Sequence, residues 1–172
     1  MAENIIIFSG KQYSGKDTLA KILLSKMTDY KRCAMGDIIK LEYARQKGLT
    51  YDEIEKNKSI YRQDLINLGN WGRAQSDDYW LKKIIEQNGN IMVTDVRVPF
   101  EYKTFKDAGA ISIRVECQRE IRATRGELVG ETDVTEVGLD HINDWDYVVH
   151  NDSSYEELEK QAMKLVEVLT KC

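Results

Sequence analysis

The segment Gly10-Lys-Gln-Tyr-Ser-Gly15-Lys16-Asp17-Thr18 has the residue types and spacing to bind phosphate. It follows a short apolar run and opens a helical pattern, the strand–loop–helix context that a G-x-x-x-x-G-K sequence requires. Glycines let successive backbone N–H groups turn toward one anion, and the helix start adds the positive end of its dipole. Lys16 supplies a full charge for the β- and γ-phosphates of a nucleoside triphosphate. With glycine at about 7% of residues, chance seldom produces this spacing in this context. Gly10, Lys11, Ser14, Gly15, Lys16, Asp17 and Thr18 are therefore the expected ATP-binding loop.

Where such loops usually carry Ser or Thr after the lysine, this chain has Asp17, followed by Thr18. Magnesium prefers oxygen ligands and keeps several waters, so a carboxylate at this place suits it. Asp17 and Thr18 are the expected magnesium ligands, joined by Asp95, an acid at the end of the apolar run Ile91-Met92-Val93. Arg97, two residues on, points the same way as Asp95 and offers a planar, bidentate grip on phosphate. Lys16, Asp95, Arg97, Arg122 and Arg125 form the expected catalytic set. Arg119, Arg122 and Arg125, spaced by three, share one flank of a predicted helix. That spacing suits a lid, at about 117–135, that brings arginines over a transferring phosphoryl group, with Arg119 on the ATP side. Arg62 and Arg73 lie in a helical stretch between the first strands. With Asp37 and Arg97 they are expected to face the acceptor. Trp71, Tyr79 and Trp80 read as core or pocket wall, and His141 and His150 as structural or exposed.

The elements that must position these residues alternate. Ile5–Phe8, Cys33–Met35, Ile91–Val93, Ile111–Val115 and Tyr147–Val149 read as five strands. Leu19, Ile22, Leu23 and Met27 recur at helical spacing, and the section from about 37 to 87 is helical, punctuated by Gly48 and by Gly69–Gly72. A capping-box pattern at Ser153 and Glu156 opens a last helix with an apolar stripe at Tyr155, Leu158, Ala162, Leu165 and Leu169. Alternating strands and helices predict an α/β domain over 1–172: a parallel five-stranded sheet with helices on both faces and ligands at the carboxyl ends of its strands.

The 172 residues carry 25 Lys+Arg against 29 Asp+Glu, a formal charge of −4 that argues against a nucleic-acid partner. At 42% hydrophobic and 31% charged, the composition is that of an ordinary globule. No apolar run approaches the roughly 18–20 residues of a membrane span, and Met1–Asn4 do not begin a signal peptide. The widely spaced Cys33, Cys117 and Cys172 read as reduced thiols in a cytoplasmic protein. A switch that binds ATP or GTP without an acceptor is an alternative class, although no N-K-x-D guanine signature is present.

FSGKQYSGKD, EYARQKGL, YRQDLINLG, TDVR, REIRATRG and GLDHINDWDYVV occur in the order seen in animal-type phosphomevalonate kinases, which the chain resembles over nearly its whole length. SGKDTLA, DVRVPFE and DAGAISIRVE are similar to phage-type and bacterial deoxynucleoside monophosphate kinases. The resemblance implies a nucleoside-monophosphate-kinase-like P-loop fold that moves the γ-phosphoryl of ATP, with Mg²⁺, onto an existing phosphate. It implies that Lys16 cradles the phosphates, that Asp95 and Arg97 lie at the reacting centre, that Arg73 serves the acceptor, and that Arg122 and Arg125 belong to the lid. Two positions depart from the phosphomevalonate kinase pattern, which has arginines where this chain has Gln12 and Val98. The expected acceptor is thus a (deoxy)nucleoside monophosphate, with phosphomevalonate as the alternative, bound by a monomer or homodimer.

Overall fold

A computed structural model of the chain describes residues 1–170. In chain order these form β1 (Ala2–Ser9), α1 (Lys16–Lys26), β2 (Tyr30–Cys33), α2 (Met35–Lys47), α3 (Tyr51–Lys56), α4 (Lys58–Gln75) and α5 (Tyr79–Ile85). Then follow β3 (Gly89–Val93), α6 (Pro99–Asp107), β4 (Ile111–Glu116), α7 (Arg119–Arg125), α8 (Val134–Val137), β5 (Tyr147–His150) and α9 (Tyr155–Leu169). The sheet is five-stranded in the order β2-β3-β1-β4-β5. Every pairing is parallel, with Ile7 opposite Val93 and Phe8 opposite Ile113.

The unbroken apolar run of β1 reflects burial on both faces. Ile5 and Ile7 enter one core with Trp80, Leu81, Ile84, Tyr102 and Phe105 from α5 and α6. Ile6 and Phe8 enter the other with Leu19 and Leu23 of α1 and Leu158 and Ala162 of α9. Side chains alternate across a strand, so consecutive apolar residues must serve opposite cores. A smaller cluster of Tyr43, Ala44 and Ile54, with Leu65 and Leu68 packed on it, ties α2, α3 and α4 together. Tyr43 also donates to Asp64, and that bond pushes the phenol up to about 12.

Three local expectations need correction. The second strand spans Tyr30–Cys33 and stops earlier than predicted. Met35 already opens α2, its N–H donating to the Asp95 carboxylate at 3.1 Å. Gly69 and Gly72 do not interrupt α4. Gly72 makes room for Trp80, whose Nε1 donates to Gly69 O at 3.0 Å and would lie 2.4 Å from a Cβ on Gly72, whereas a Cβ on Gly69 would come 3.3 Å from Ile39 Cδ1. The α9 cap is Ser154, accepting from Glu157 N, one residue later than predicted. Two Ser–Glu pairs compete there, and burial of Leu158, Ala162, Leu165 and Leu169 selects the second. Tyr155, at 56% exposed, lies off that stripe.

His141 and His150 are exposed. Cys33 is buried and Cys117 half-buried, both as free thiols, and Cys172 lies outside the described residues. Among those residues, no helix is long and apolar enough to cross a membrane.

Candidate active site

The chain leaves β1 at Ser9 and turns through a loop in which Tyr13 and Gly15 both have positive φ, 59° and 94°. At Gly15 glycine is required twice over. The left-handed backbone disfavours a side chain, and an added Cβ would fall 2.1 Å from Asn151 Nδ2. Lys16 starts α1, is 9% exposed, and holds Asp17 Oδ2 at 2.9 Å through Nζ. The loop from Gly10 to Thr18, with Arg97 and Arg125, lines a cavity of about 470 Å³.

The back of the loop explains its curl. Arg122 Nη1 donates to Gln12 O at 3.2 Å, Arg125 Nη1 to Tyr13 O at 3.1 Å, and Asn151 Nδ2 to Ser14 O at 2.8 Å. Three successive carbonyls are thus held from outside. In a trans peptide the next N–H points opposite its carbonyl, so the N–H groups of Tyr13 and Gly15 turn inward, where an anion would sit. Arg125 Nη2 also reaches Asn151 O at 2.9 Å, joining the end of α7 to the end of β5.

This placement differs from a simple ring of phosphate-facing arginines. Arg122 is 5% exposed and spends its guanidinium on Cys117 O and Gln12 O. Arg125 lines the cavity and supports the loop at once. Arg119 is outside the cavity lining and forms a forked pair with Glu131. Lys11 lines the cavity, but its Nζ is 2.7 Å from Asp140.

Asp95 and Arg97 leave the end of β3. Burial pushes the Asp95 carboxyl up, while the N–H of Met35 and the charges of Arg32 and Arg97 pull the other way. Asp95 lies at the head of α2 and does not line the loop cavity. Arg97 does, and its Nη1 lies 3.4 Å from Glu136 Oε1. Asp17 and Thr18 therefore share the cavity, whereas Asp95 stands apart from it.

A second cavity, about 630 Å³, opens between α2 and α4. Its lining includes Ile39, Leu65 and Ile66 along with Lys40, Arg62 and Arg73. Lys40 bonds Glu55 at 2.6 Å, and Lys58 pairs with the same carboxylate. Among the described residues Arg73 has only the amide oxygen of Asn70, at 3.0 Å. Arg62 has no bonded partner among the described residues. Asp37 is absent from this lining. It bonds Arg32, Lys40 and Tyr51, fastening α2 to β2 and α3. Trp80 is core, while Trp71 is 48% exposed and stacks edge-on with Tyr79.

Hard oxygens suit Mg²⁺. The Asp17 carboxylate and Thr18 hydroxyl meet that need, and the buried Ser14 Oγ has no partner among the described residues, leaving a further oxygen free to take one. No group of three or more His, Cys, Asp or Glu gathers as a metal cluster among the described residues. Any magnesium here would draw the rest of its shell from phosphate and water.

Sequence reasoning missed Asn151 and Glu136. Asn151 follows the last strand, where ligands of open α/β sheets collect, and that position is the signal that marks it. A third cavity of about 270 Å³ runs from Gly15, Thr18 and Arg125 to Asn151, Ser153 and Tyr155. Glu136 has no motif to announce it.

A family model described as phosphomevalonate kinase matches residues 8–110. One described as deoxynucleotide monophosphate kinase matches residues 63–162. Among solved structures, shikimate kinase from Aquifex aeolicus superposes with a TM-score of 0.53 at 17% identity, over 96% of this chain and 98% of that one. Shikimate kinase from Acinetobacter baumannii, in complex with shikimate, gives 0.56 at 15% identity, over 98% and 93%. A gluconokinase from Sinorhizobium meliloti gives 0.53 at 14% identity, over 98% and 94%. The fold is that of these P-loop kinases.

Proposed function

Because the chain belongs to the phosphomevalonate kinase and deoxynucleotide monophosphate kinase families, we propose that it transfers the γ-phosphoryl group of Mg·ATP to the phosphate of a (deoxy)nucleoside monophosphate. The donor triphosphate lies along the loop from Gly10 to Thr18, against Lys16, with its nucleoside toward Asn151, Ser153 and Tyr155. Asp17 and Thr18 hold magnesium, with Asp95 as a more distant member of the set. The metal supplies charge neutralisation for the phosphates when bound. Lys16, Arg97 and Arg125 stabilise charge on the transferred group, a task of positioning more than of covalent chemistry. Residues 117–135 act as the lid.

One observation carries the acceptor assignment. Lys40 and Lys58 share the Glu55 carboxylate, so Arg62 and Arg73 are the two cations of the second cavity without a carboxylate partner among the described residues, above Ile39, Leu65 and Ile66. Two such groups match one phosphate dianion carried on a body with apolar faces. An acceptor with an additional carboxylate finds no further unpaired cation there. Gln12 does not supply an anchor either, since its side-chain amide is engaged with Val129 N and O. Phosphomevalonate remains the second reading on a specific ground: among the described residues no aromatic ring lines this cavity to stack a base.

The test is ADP release with each common (d)NMP and with phosphomevalonate. Saturable turnover with a nucleotide is expected. Turnover with phosphomevalonate alone reverses the acceptor assignment, and ATP binding with no acceptor-stimulated release returns the protein to the class of switches.

A further inference from the structure

Glu136 joins the phosphate loop to Arg97, and no motif accounts for it. Its side chain is 3% exposed. Oε2 accepts the Gln12 N–H at 2.9 Å, and Oε1 takes Arg97 Nη1 at 3.4 Å. A buried carboxylate beside an anion cradle repels the ligand that the cradle serves, and burying it is costly without a partner. Direct contact with phosphate is therefore the wrong use for it. Its partner, Arg97, lines the donor cavity with a side chain still 39% exposed. The helix carrying Glu136 is seated firmly. Asp133 caps it through Thr135 N at 2.8 Å, and a Cβ on Gly138 would come 3.2 Å from Arg97 O. Just upstream, Val129 exchanges backbone bonds with the Gln12 side chain.

We propose that Glu136 is a positioning residue. It holds the Arg97 guanidinium and the Gln12 amide in one frame, so that the arginine meets the transferred phosphoryl group only while residues 129–136 are docked on the loop. The proposal rests on the phosphotransferase reading above.

Glu136→Gln keeps an acceptor oxygen for Gln12 and removes the charge that holds Arg97. Its kcat should fall about 10–100-fold, the scale of a misplaced catalytic group, with KM for ATP changed less than about threefold. Combined with Arg97→Ala it should cost nothing further, because both changes remove one interaction. Glu136→Asp keeps the charge but is one methylene too short to span both partners. It should lose kcat as well, and it carries the test if the glutamine variant does not melt cooperatively. Wild-type kcat in either folded variant, or losses that multiply in the double variant, overturns the proposal. If the wild type transfers no phosphoryl group to any acceptor, it is the functional reading that fails. The wild type, Glu136→Gln, Arg97→Ala and the double variant are then compared by urea unfolding, which reads the Glu136–Arg97 contact directly. Non-additive losses there sustain the Glu136–Arg97 coupling, and additive ones overturn it.

Discussion

Around the phosphate loop, the carbonyls of Gln12, Tyr13 and Ser14 are each held from behind by a guanidinium or an amide. Between α2 and α4, among the described residues, Arg62 holds nothing and Arg73 holds only an amide oxygen. The first region has its hydrogen bonds in place before any ligand arrives. The second keeps cations unsatisfied, at the cost of side-chain freedom that a ligand must remove. A prebuilt cradle suits a donor whose triphosphate is always the same. Free arginines over an aliphatic floor suit recognition of a variable partner, where the ligand itself completes the bonding.

The largest expected effect breaks the donor side. Lys16→Ala should lower phosphoryl transfer by about 10³-fold or more, the scale of losing a preorganised charge at the reacting centre. The fold should survive, because among the described residues the only bond Nζ makes is to the neighbouring, exposed Asp17. Circular dichroism with ADP-release assays checks both halves, and near-normal turnover in a folded variant removes the donor role from this loop.

Arg73→Ala tests the other side. A charge-assisted hydrogen bond is worth about 1.5–3 kcal/mol, so KM for the acceptor should rise about 10–100-fold while ATP affinity holds. Arg62→Ala should behave alike. If either variant weakens ATP and spares the acceptor, the division between the two regions is wrong.

The two regions also differ in how far they can be read from sequence. The loop was legible because its physics is local: a strand, a turn rich in glycine and a lysine at a helix start, all within Ile5–Thr18. Four strands of the sheet were legible for the same reason, announced by apolar runs, whereas β2 at Tyr30–Cys33 carries exposed Lys31 and Arg32 and the run that pointed to it, Cys33–Met35, overlaps it at one residue. What supports the loop was not. Asn151 meets Ser14 across 137 positions and Glu136 meets Gln12 across 124, and no spacing rule reaches that far. Arg122 and Arg125 were found by their helical spacing, but their engagement with loop carbonyls depends on tertiary approach. The same limit explains Gly72. Glycine in a helical stretch reads as a break, while here the close neighbour Trp80 requires it.

That close approach supplies the next test, one of stability in the helix that lines the proposed acceptor cavity. Alanine favours helix over glycine by about 1 kcal/mol, so an exposed Gly72→Ala would stabilise α4. At this site the new Cβ meets the indole ring at 2.4–2.7 Å. Overpacking of a filled core costs about 1–3 kcal/mol, and displacing Trp80 also strains its bond to Gly69 O. A net loss of about 1–2 kcal/mol is expected in urea unfolding, with acceptor KM disturbed more than ATP affinity. A gain in stability would show that Trp80 yields easily, and that α4 is held less tightly than its packing suggests.

The smallest effect lies on α2. Glu42 accepts Arg45 Nη2 at 2.6 Å and Gln46 Nε2 at 2.9 Å. The Arg45 guanidinium, against an opposing desolvation, holds the Glu42 carboxyl down from 4.5 to about 2. A carboxyl with a depressed folded pKa stabilises the protein above its unfolded value, and that contribution is lost as pH falls through the folded value. The window therefore runs from about pH 4.5 down to about pH 2. Arg45 is 73% exposed, so solvent screens the pair and limits its worth to about 0.5–1 kcal/mol. Glu42→Gln should be less stable than wild type by that amount at pH 7, and the gap should close as the pH approaches 2. Urea midpoints measured across that range check it. Kinetic constants for ATP and acceptor should stay unchanged, because Glu42 lines neither of the two cavities. A gap that persists at low pH would assign the stabilisation to packing, and an altered acceptor KM would mean that the α2 surface and its cavity are coupled after all.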